Sequence, residues 1–240
     1  GLYGDADWVA APTKVVRQPL PELPPPPPPP PPRPFVEYFE STEPGGQPGS
    51  LNYSPEGRPE LVQVSAEQAV AGGQRSLKIT KVPGLKYTWQ PHCYHASRPH
   101  TSGNVRFACD VLNSAAAPAE FSISLRDYSP GHGEFRDGAV VSFAGNGTVR
   151  AGDRTLTTVP AGAWVHVEIV FSLGSAGMAA TAAGAYRLTL TVGDGAVQVF
   201  EAIPYANPAF RQVSWFGLCG ADSPGGVYYV DNLRLEAVRP

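Results

Sequence analysis

The feature that most constrains the fold is an alternation of apolar and polar residues that recurs along the chain. Every second residue is apolar in "VHVEI" (residues 165–169) and in "YRLTLTV" (residues 186–192). Successive side chains of a β-strand point to opposite faces, so this period is typical of a strand with one buried face. The sequence predicts strands within eight segments: Arg75–Thr80, Asn104–Asn113, Ala119–Tyr128, Gly138–Gly152, Ala163–Gly174, Ala185–Ile203, Arg211–Gly220 and Gly226–Val238.

Turn signals between these segments indicate antiparallel pairing. Asn146-Gly147 and Asp194-Gly195 interrupt two of the segments, and both dipeptides favour the type I′ turn of a β-hairpin. Glycine (26) and proline (27) are abundant, and no convincing helix of three turns is found. At least eight strands in this pattern predict an all-β fold, a two-sheet antiparallel jelly-roll β-sandwich.

Residues 1–34 differ in composition from the rest and contain nine consecutive prolines, Pro24–Pro32. Proline has no backbone N–H, so such a run forms neither helix nor sheet and adopts an extended polyproline II conformation. We interpret residues 1–34 as a linker with the tail of a preceding domain, and residues 35–240 as the sandwich. The alternative is a ligand for a proline-recognising domain. Because the chain begins without Met, we expect it to be a piece of a longer protein or a mature product.

Charge and composition argue against several functions. The net charge is -3 with a pI of about 6.0 and no basic stripe, which argues against nucleic acid as a partner. No run approaches the roughly 18 apolar residues of a membrane span. The sequence has no P-loop, GxSxG, HExxH or dinucleotide-binding motif. Three widely spaced cysteines without a CxxC pair favour free thiols, with one disulfide and one free thiol as the alternative: Cys93, Cys109 and Cys219.

The segment "WQPHCYHASRPH" (residues 89–100) concentrates three of the five histidines. On a strand, His92 and His95 would lie on opposite faces, so they could join His100 around zinc only in a bent loop. No acidic ligand lies within the segment. We therefore predict that it is not a metal site but a strand running into a loop.

Four short segments, in this order along the chain, resemble the concanavalin A-like, jelly-roll carbohydrate-binding superfamily: "YFESTEPGGQPG", "AGGQRSLKIT", "VPAGAWVHVEIVF" and "GVYYVDNLRLE". The resemblance covers residues 35–238. The layout is also similar to C-terminal modules of large secreted bacterial proteins. The resemblance implies an extracellular, cell-surface or periplasmic location, and a tether to a neighbouring domain through the linker. It also implies a structural Ca²⁺ held by Glu40 and Asp231, since calcium prefers oxygen ligands.

A sugar-binding site needs aromatic platforms beside hydrogen-bonding side chains, because sugars present both apolar C–H faces and hydroxyl edges. Period-two spacing would place Tyr87 and Trp89 on one strand face, at the rim of the sugar-binding surface. The predicted ligand-binding residues are Tyr87, Trp89, His92, Tyr94, His95, Arg126 and Asp127. Trp215, in "SWFG", is predicted to lie in the core.

We predict a non-catalytic, polysaccharide-binding module. One alternative is a polysaccharide lyase or glycoside hydrolase of the concanavalin-like fold. Jelly-roll lyases use Tyr or His to remove a proton and Arg or Gln to neutralise the uronate carboxyl. The matching residues are Tyr94, His92, His95 and Arg126, with Gln90 and Arg98 nearby. A structural or adhesion module is the second alternative.

Overall fold

The computed structural model describes residues 32–174 and 180–238, and it confirms the predicted all-β fold. The strands described are β1 Phe35–Glu37, β2 Asn52–Tyr53, β3 Val62–Ser65, β4 Ser76–Lys81, β5 His92–His100, β6 Gly103–Asn113, β7 Phe121–Gly131, β8 Glu134–Phe143, β9 Thr148–Ala151, β10 Arg154–Thr158, β11 Trp164–Leu173, β12 Ala185–Val192, β13 Val197–Pro204, β14 Val213–Gly220 and β15 Gly226–Val238. One 3₁₀ turn, Pro59–Leu61, precedes β3.

Two antiparallel sheets form the sandwich. Sheet A has the order β13-β12-β11-β6-β15-β4-β3, with β1 also paired to β15. Sheet B has the order β10-β9-β8-β7-β14-β5-β2. Non-consecutive strands are neighbours in the middle of both sheets, as the jelly-roll topology requires.

The core lies between the sheets and consists of the apolar faces that the alternation predicted. On β11, Val165, Val167 and Ile169 are buried in the core, while His166 is exposed. On β7, Phe121, Ile123 and Leu125 face the same core from sheet B. The side chains between them on β7 therefore point away from the core, onto the outer face of sheet B.

All eight predicted segments contain strands, and both predicted hairpins are present, as β8–β9 and β12–β13. Neither predicted pair forms a type I′ turn, because Gly147 alone of the first pair has a positive φ (84°) and neither Asp194 nor Gly195 has one. For residues 89–100 we expected a strand followed by a loop, and this order was wrong. The loop comes first and carries Trp89, and β5 then continues to His100.

The polyproline linker prediction falls on residues 1–34, of which only residues 32–34 are described. The boundary between the linker and the sandwich therefore stays a prediction.

All three cysteines are buried free thiols. Within the described ranges, no helix is long and apolar enough to cross a membrane.

Candidate functional site

The outer face of sheet B carries a row of aromatic and polar side chains across its middle strands. Opposite β5, the β14 residues Trp215, Gly217 and Cys219 pair with Ala96, Tyr94 and His92. On its other side, Trp215 pairs with Arg126 of β7. Alternation along the strands turns His92, Tyr94, Trp215 and Arg126 to this one face, since their chain neighbours Cys93, Phe216 and Leu125 lie in the core.

Trp215 is the centre of this row. Its ring lies over Gly217, where any Cβ would stand 2.7 Å from Cζ2 and 2.9 Å from Cζ3 of the indole. The rings of His92 and Tyr94 stack beside it, with centroids at 5.5 and 5.7 Å. Tyr128 contacts it from β7 at 6.1 Å. A glycine two residues along the same strand face is what allows the indole to lie flat.

The loop before β5 adds two more rings. Tyr87 and Trp89 stack almost in parallel, with centroids 5.0 Å apart and an interplanar angle of 7°. Trp89 then meets His92 nearly at right angles, at 5.1 Å. Tyr87 and Trp89 are both substantially exposed. They lie in a loop and not along one strand, so the predicted shared strand face was wrong, although the two rings do lie together.

A buried lysine holds this loop in place. Lys81 of β4 donates from Nζ to the carbonyl oxygens of Thr88 (2.7 Å) and Gln90 (2.6 Å), on either side of Trp89. The amide N–H of Gly220, at the end of β14, donates to the carbonyl of Trp89 at 2.9 Å. Burial lowers the pKa of Lys81. Contacts from both sheets therefore fix the backbone that carries Trp89.

These elements enclose an open cleft of about 630 Å³, which we call the aromatic cleft. It is lined by Tyr53, Ser54, Trp89, His92, Tyr94, Ala96, Ser97, Tyr128, Ser214 and Trp215. Most of this surface is aromatic or apolar, with hydroxyl groups from serine and tyrosine around it. Such a surface suits a ligand that has both apolar faces and hydrogen-bonding edges.

Arg126 lies beside the cleft and contacts two rings and a carboxylate. Its guanidinium carbon stands 4.1 Å from the centroid of Phe135 and 4.4 Å from that of Trp215. Its Nε donates to Asp137 Oδ1 at 2.9 Å. The guanidinium is therefore stacked against two rings and neutralised by a carboxylate from β8.

His92 is nine-tenths buried, and neither ring nitrogen has a hydrogen-bond partner among the described residues. Burial, and then the nearby Arg126 charge, lower the pKa of His92 to about 4. The imidazole is thus neutral near pH 7 and packs as a ring between Tyr94 and Trp215. Because both nitrogens are covered, neither can reach a substrate proton in this arrangement.

Two residues that were predicted to bind the ligand lie away from the cleft. His95 points to the other face of β5, where it packs against Phe35 and Phe216 and its Nδ1 lies 3.0 Å from the Ser50 carbonyl oxygen. Asp127 is fully buried and accepts a hydrogen bond from the Ser129 amide at 2.7 Å. The physical reason is the same for both, because each adjoins a residue that faces the cleft on the same strand.

Sequence reasoning missed the most central residue of the cleft. Trp215 is buried, as expected, but by the outer-face rings and not by the sandwich core. The alternation in β14 is uninformative because both of its faces are apolar. A register irregularity between Val213 and Trp215 also shifts the pattern. The glycine two residues after Trp215 was the available signal.

The two residues predicted to hold calcium lie close together at another place in the fold. A Cβ placed on Gly73 would lie 2.8 Å from Glu40 Oε1, 3.8 Å from Asp231 Oδ2 and 3.4 Å from the Val70 carbonyl oxygen. Burial raises the pKa of Asp231 to about 6, and the charges of Asp110 and Glu40 add to that rise.

Two carboxylates and a carbonyl oxygen are suitable donors for Ca²⁺, which prefers six to eight oxygens. Glu40 Oε1 already accepts hydrogen bonds from the Gln74 and Arg75 amides, at 2.8 and 3.2 Å. No group of three or more His, Cys, Asp or Glu side chains suited to a metal ion occurs in residues 32–174 and 180–238. Calcium binding here stays a proposal.

Comparison with solved structures confirms the jelly-roll fold. The alginate lyase Aly36B, in a variant form bound to an alginate trisaccharide, is 12% identical and superposes with a TM-score of 0.52 over 87% of this chain and 99% of that one. An immunostimulatory antigen and pseudo beta-1,3-glucanase of Mycobacterium tuberculosis is 13% identical, with a TM-score of 0.51 over 85% and 98%. No family model and no curated protein matches the sequence. At such identities the likeness shows the fold alone.

Proposed function

We propose that this module binds a polysaccharide non-catalytically in the aromatic cleft. The observation that carries the proposal is the continuous set of rings around Trp215 on the outer face of sheet B. Trp89, Tyr94 and Tyr128 extend it on either side, and hydroxyl groups border it. Sugar rings stack on such surfaces through their C–H faces, while their hydroxyls bond to the rim.

The fold is compatible with this function, since one protein of the same fold is an alginate lyase bound to an alginate trisaccharide. The fold by itself does not decide between binding and catalysis. An extracellular polysaccharide as the ligand, and the location that it requires, stay predictions.

The side chains of the cleft argue against a glycoside hydrolase. Such enzymes use two carboxyl groups about 5 to 9.5 Å apart across the scissile bond. No Asp or Glu of residues 32–174 and 180–238 lines the aromatic cleft, and the neighbouring Asp137 is engaged by Arg126.

The lyase alternative is weakened for a different reason. Its candidate base His92 has both nitrogens covered, and its candidate neutralising group Arg126 already has a carboxylate partner. Tyr94 is the other candidate base that lines the cleft. It has to be tested directly, because the position of a side chain does not establish its reactivity.

The decisive experiment measures retention on immobilised native polysaccharides. Trp89→Ala and Tyr94→Ala should each lower the affinity about fivefold, corresponding to about 1 kcal/mol of lost stacking. Both should still fold, because Trp89 is 39% exposed and Tyr94 is half-buried. Tyr38→Ala is the control, since Tyr38 is an exposed aromatic residue outside the cleft, where its hydroxyl contacts Arg234 of β15.

Three other outcomes are distinguishable. Retention by both cleft variants equal to the parent contradicts the proposal. An unsaturated uronate product that appears with the parent and disappears with Tyr94→Phe indicates a lyase. Absence of binding to any polysaccharide, with an intact fold, favours a structural or adhesion module.

A further inference from the structure

Among the residues that the structure describes, none with a charged side chain lines the aromatic cleft. It contains neither Asp, Glu, Lys nor Arg, and its polar groups are hydroxyls, backbone groups and the His92 ring. His92 does not supply a cation near pH 7, because burial and the Arg126 charge lower its pKa to about 4. A ligand that enters this cleft therefore meets a neutral surface.

Among the described residues, the cation that stacks on a lining ring of the cleft is already compensated. Arg126 is bonded to Asp137, and the rings of Phe135 and Trp215 cover its guanidinium. An acidic sugar on this guanidinium would compete with Asp137, and displacing Asp137 would leave that carboxylate half-buried without this partner. Removing one partner from a partly buried charge pair is costly, because the remaining charge loses its compensation.

We propose that the ligand of the aromatic cleft is a neutral glycan whose sugars present flat apolar faces, and not a uronic-acid or sulfated polysaccharide. This inference rests on the proposed function, and it specifies the ligand class of the same site. An acidic polysaccharide brings repeated negative charges to a cleft whose described lining residues include no Lys or Arg, so desolvation of those charges is not compensated there. A neutral sugar needs only stacking surfaces and hydroxyl partners, and the cleft supplies both.

The same geometry identifies Asp137 as a specificity-determining residue. It does not line the cleft, yet it neutralises Arg126, the cation that stacks on the central ring. Asp137→Asn keeps the side-chain shape and an oxygen that accepts the Arg126 Nε–H, but it removes the negative charge. The variant should therefore present an uncompensated guanidinium beside Trp215.

The test is calorimetric titration of the full chain with two sets of oligosaccharides. Cello- and xylo-oligosaccharides represent neutral ligands, while oligomannuronate and oligogalacturonate represent acidic ones. The parent should bind at least one neutral oligosaccharide, with an affinity that changes little between about 50 and about 500 mM salt. Acidic oligosaccharides should bind at least about tenfold more weakly.

Asp137→Asn should gain affinity for the acidic oligosaccharides by about tenfold at low salt, and added salt should abolish the gain. The affinity of the variant for the neutral oligosaccharides should stay within about threefold of that of the parent. A parent that binds the acidic set as tightly as the neutral set overturns the inference and leaves the proposed function intact. A folded Asp137→Asn variant without any gain overturns the role of Asp137. Binding of neither set by the parent contradicts the proposed function itself.

Discussion

Trp215 lies flat across Gly217, so close that a Cβ on the glycine would stand 2.7 Å from Cζ2 of the indole. Gly217 has no left-handed φ, so what makes glycine necessary here is space and not backbone conformation. The position of the central ring of the cleft thus depends on a missing methyl group two residues along the same strand.

Gly217→Ala should displace the Trp215 ring and disturb the cleft without opening the sandwich core. We expect a loss of about 1 to 3 kcal/mol of stability from overpacking, and an affinity for polysaccharide lowered about fivefold by the tilted platform. Near-ultraviolet circular dichroism would report the changed tryptophan environment. Gly49→Ala is the control, since nothing lies within 4 Å of its added Cβ. Unchanged dichroism and affinity in Gly217→Ala would mean that the ring does not need the glycine.

A second prediction concerns the lysine under the Trp89 loop. Lys81→Met removes two hydrogen bonds from an ammonium to the Thr88 and Gln90 carbonyls, each of a class worth about 1.5 to 3 kcal/mol. The loop should then exchange its amide hydrogens faster, and polysaccharide affinity should fall at least about threefold.

Lys78→Met is the matched control for this change. Lys78 lies on the same strand but forms an exposed ion pair with Glu67, which contributes little to stability. Amide exchange at residues 87–90 should be unaffected in that variant. Equal exchange and equal affinity in the two variants would show that Lys81 does not position the loop.

The strands that were predictable from sequence are those with one polar face. In β11, His166 and Glu168 alternate with core residues, so the period identifies both the strand and its buried side. Strand β5 was harder, because Pro99 argues against a regular ladder. Pro99 lies between Ala96 and His100, where pairing with β14 is irregular, and proline is tolerated at such places.

The site was only partly predictable, because strand alternation gives a face but not the neighbour across the sheet. Trp89, His92 and Tyr94 were identified from their residue types in one segment. Trp215 and Asp137 come from strands far along the chain, and only the sheet order brings them to the same place. His95 and Asp127 lie away from the cleft, and residue type alone does not reveal which face a side chain occupies.

A third prediction concerns the boundary before β1. The Phe35 ring packs 5.2 Å from Phe216 and 4.2 Å from His95, so the sandwich core includes β1. Deleting residues 1–34 should leave the melting temperature nearly unchanged. Deleting residues 1–37 should lower it clearly, because β1 and the Phe35 ring are then lost, at a cost of about 3 to 5 kcal/mol. Equal melting temperatures for the two truncated proteins would contradict this boundary. Unfolding of the protein that lacks only residues 1–34 would contradict it as well.

A fourth prediction concerns calcium between Glu40 and Asp231. If the ion binds there, it stabilises the folded state by RT ln(1 + [L]/Kd), or about 2.7 kcal/mol at a hundredfold excess over Kd. Added Ca²⁺ should raise the melting temperature, and chelator should reverse the effect. Asp231→Asn should remove the response, while Glu60→Gln, at an exposed carboxylate outside this region, should retain it. Identical melting curves for calcium-saturated and chelated parent protein would exclude this site.

The last prediction concerns the pH dependence that His92 imposes. Its folded pKa of about 4 lies below the ordinary value of about 6.5, so between these values the unfolded state binds more protons. The contribution of His92 to stability is therefore complete above about pH 6.5 and is lost progressively as the pH falls towards 4. Its size is of order 3 kcal/mol, from the free energy that corresponds to this pKa difference.

Other groups titrate in the same range, so the parent curve alone does not isolate His92. Asp231 has a raised pKa of about 6 and contributes with the opposite sign, losing stability as the pH rises through the same interval. His92→Phe keeps a ring between Tyr94 and Trp215 but has no titrating nitrogen. Denaturant unfolding of parent and variant at a series of pH values gives the difference between them. The variant should retain more of its neutral-pH stability at pH 4 than the parent does, and parallel curves from pH 6.5 to 4 would show that His92 is not buried as a neutral ring.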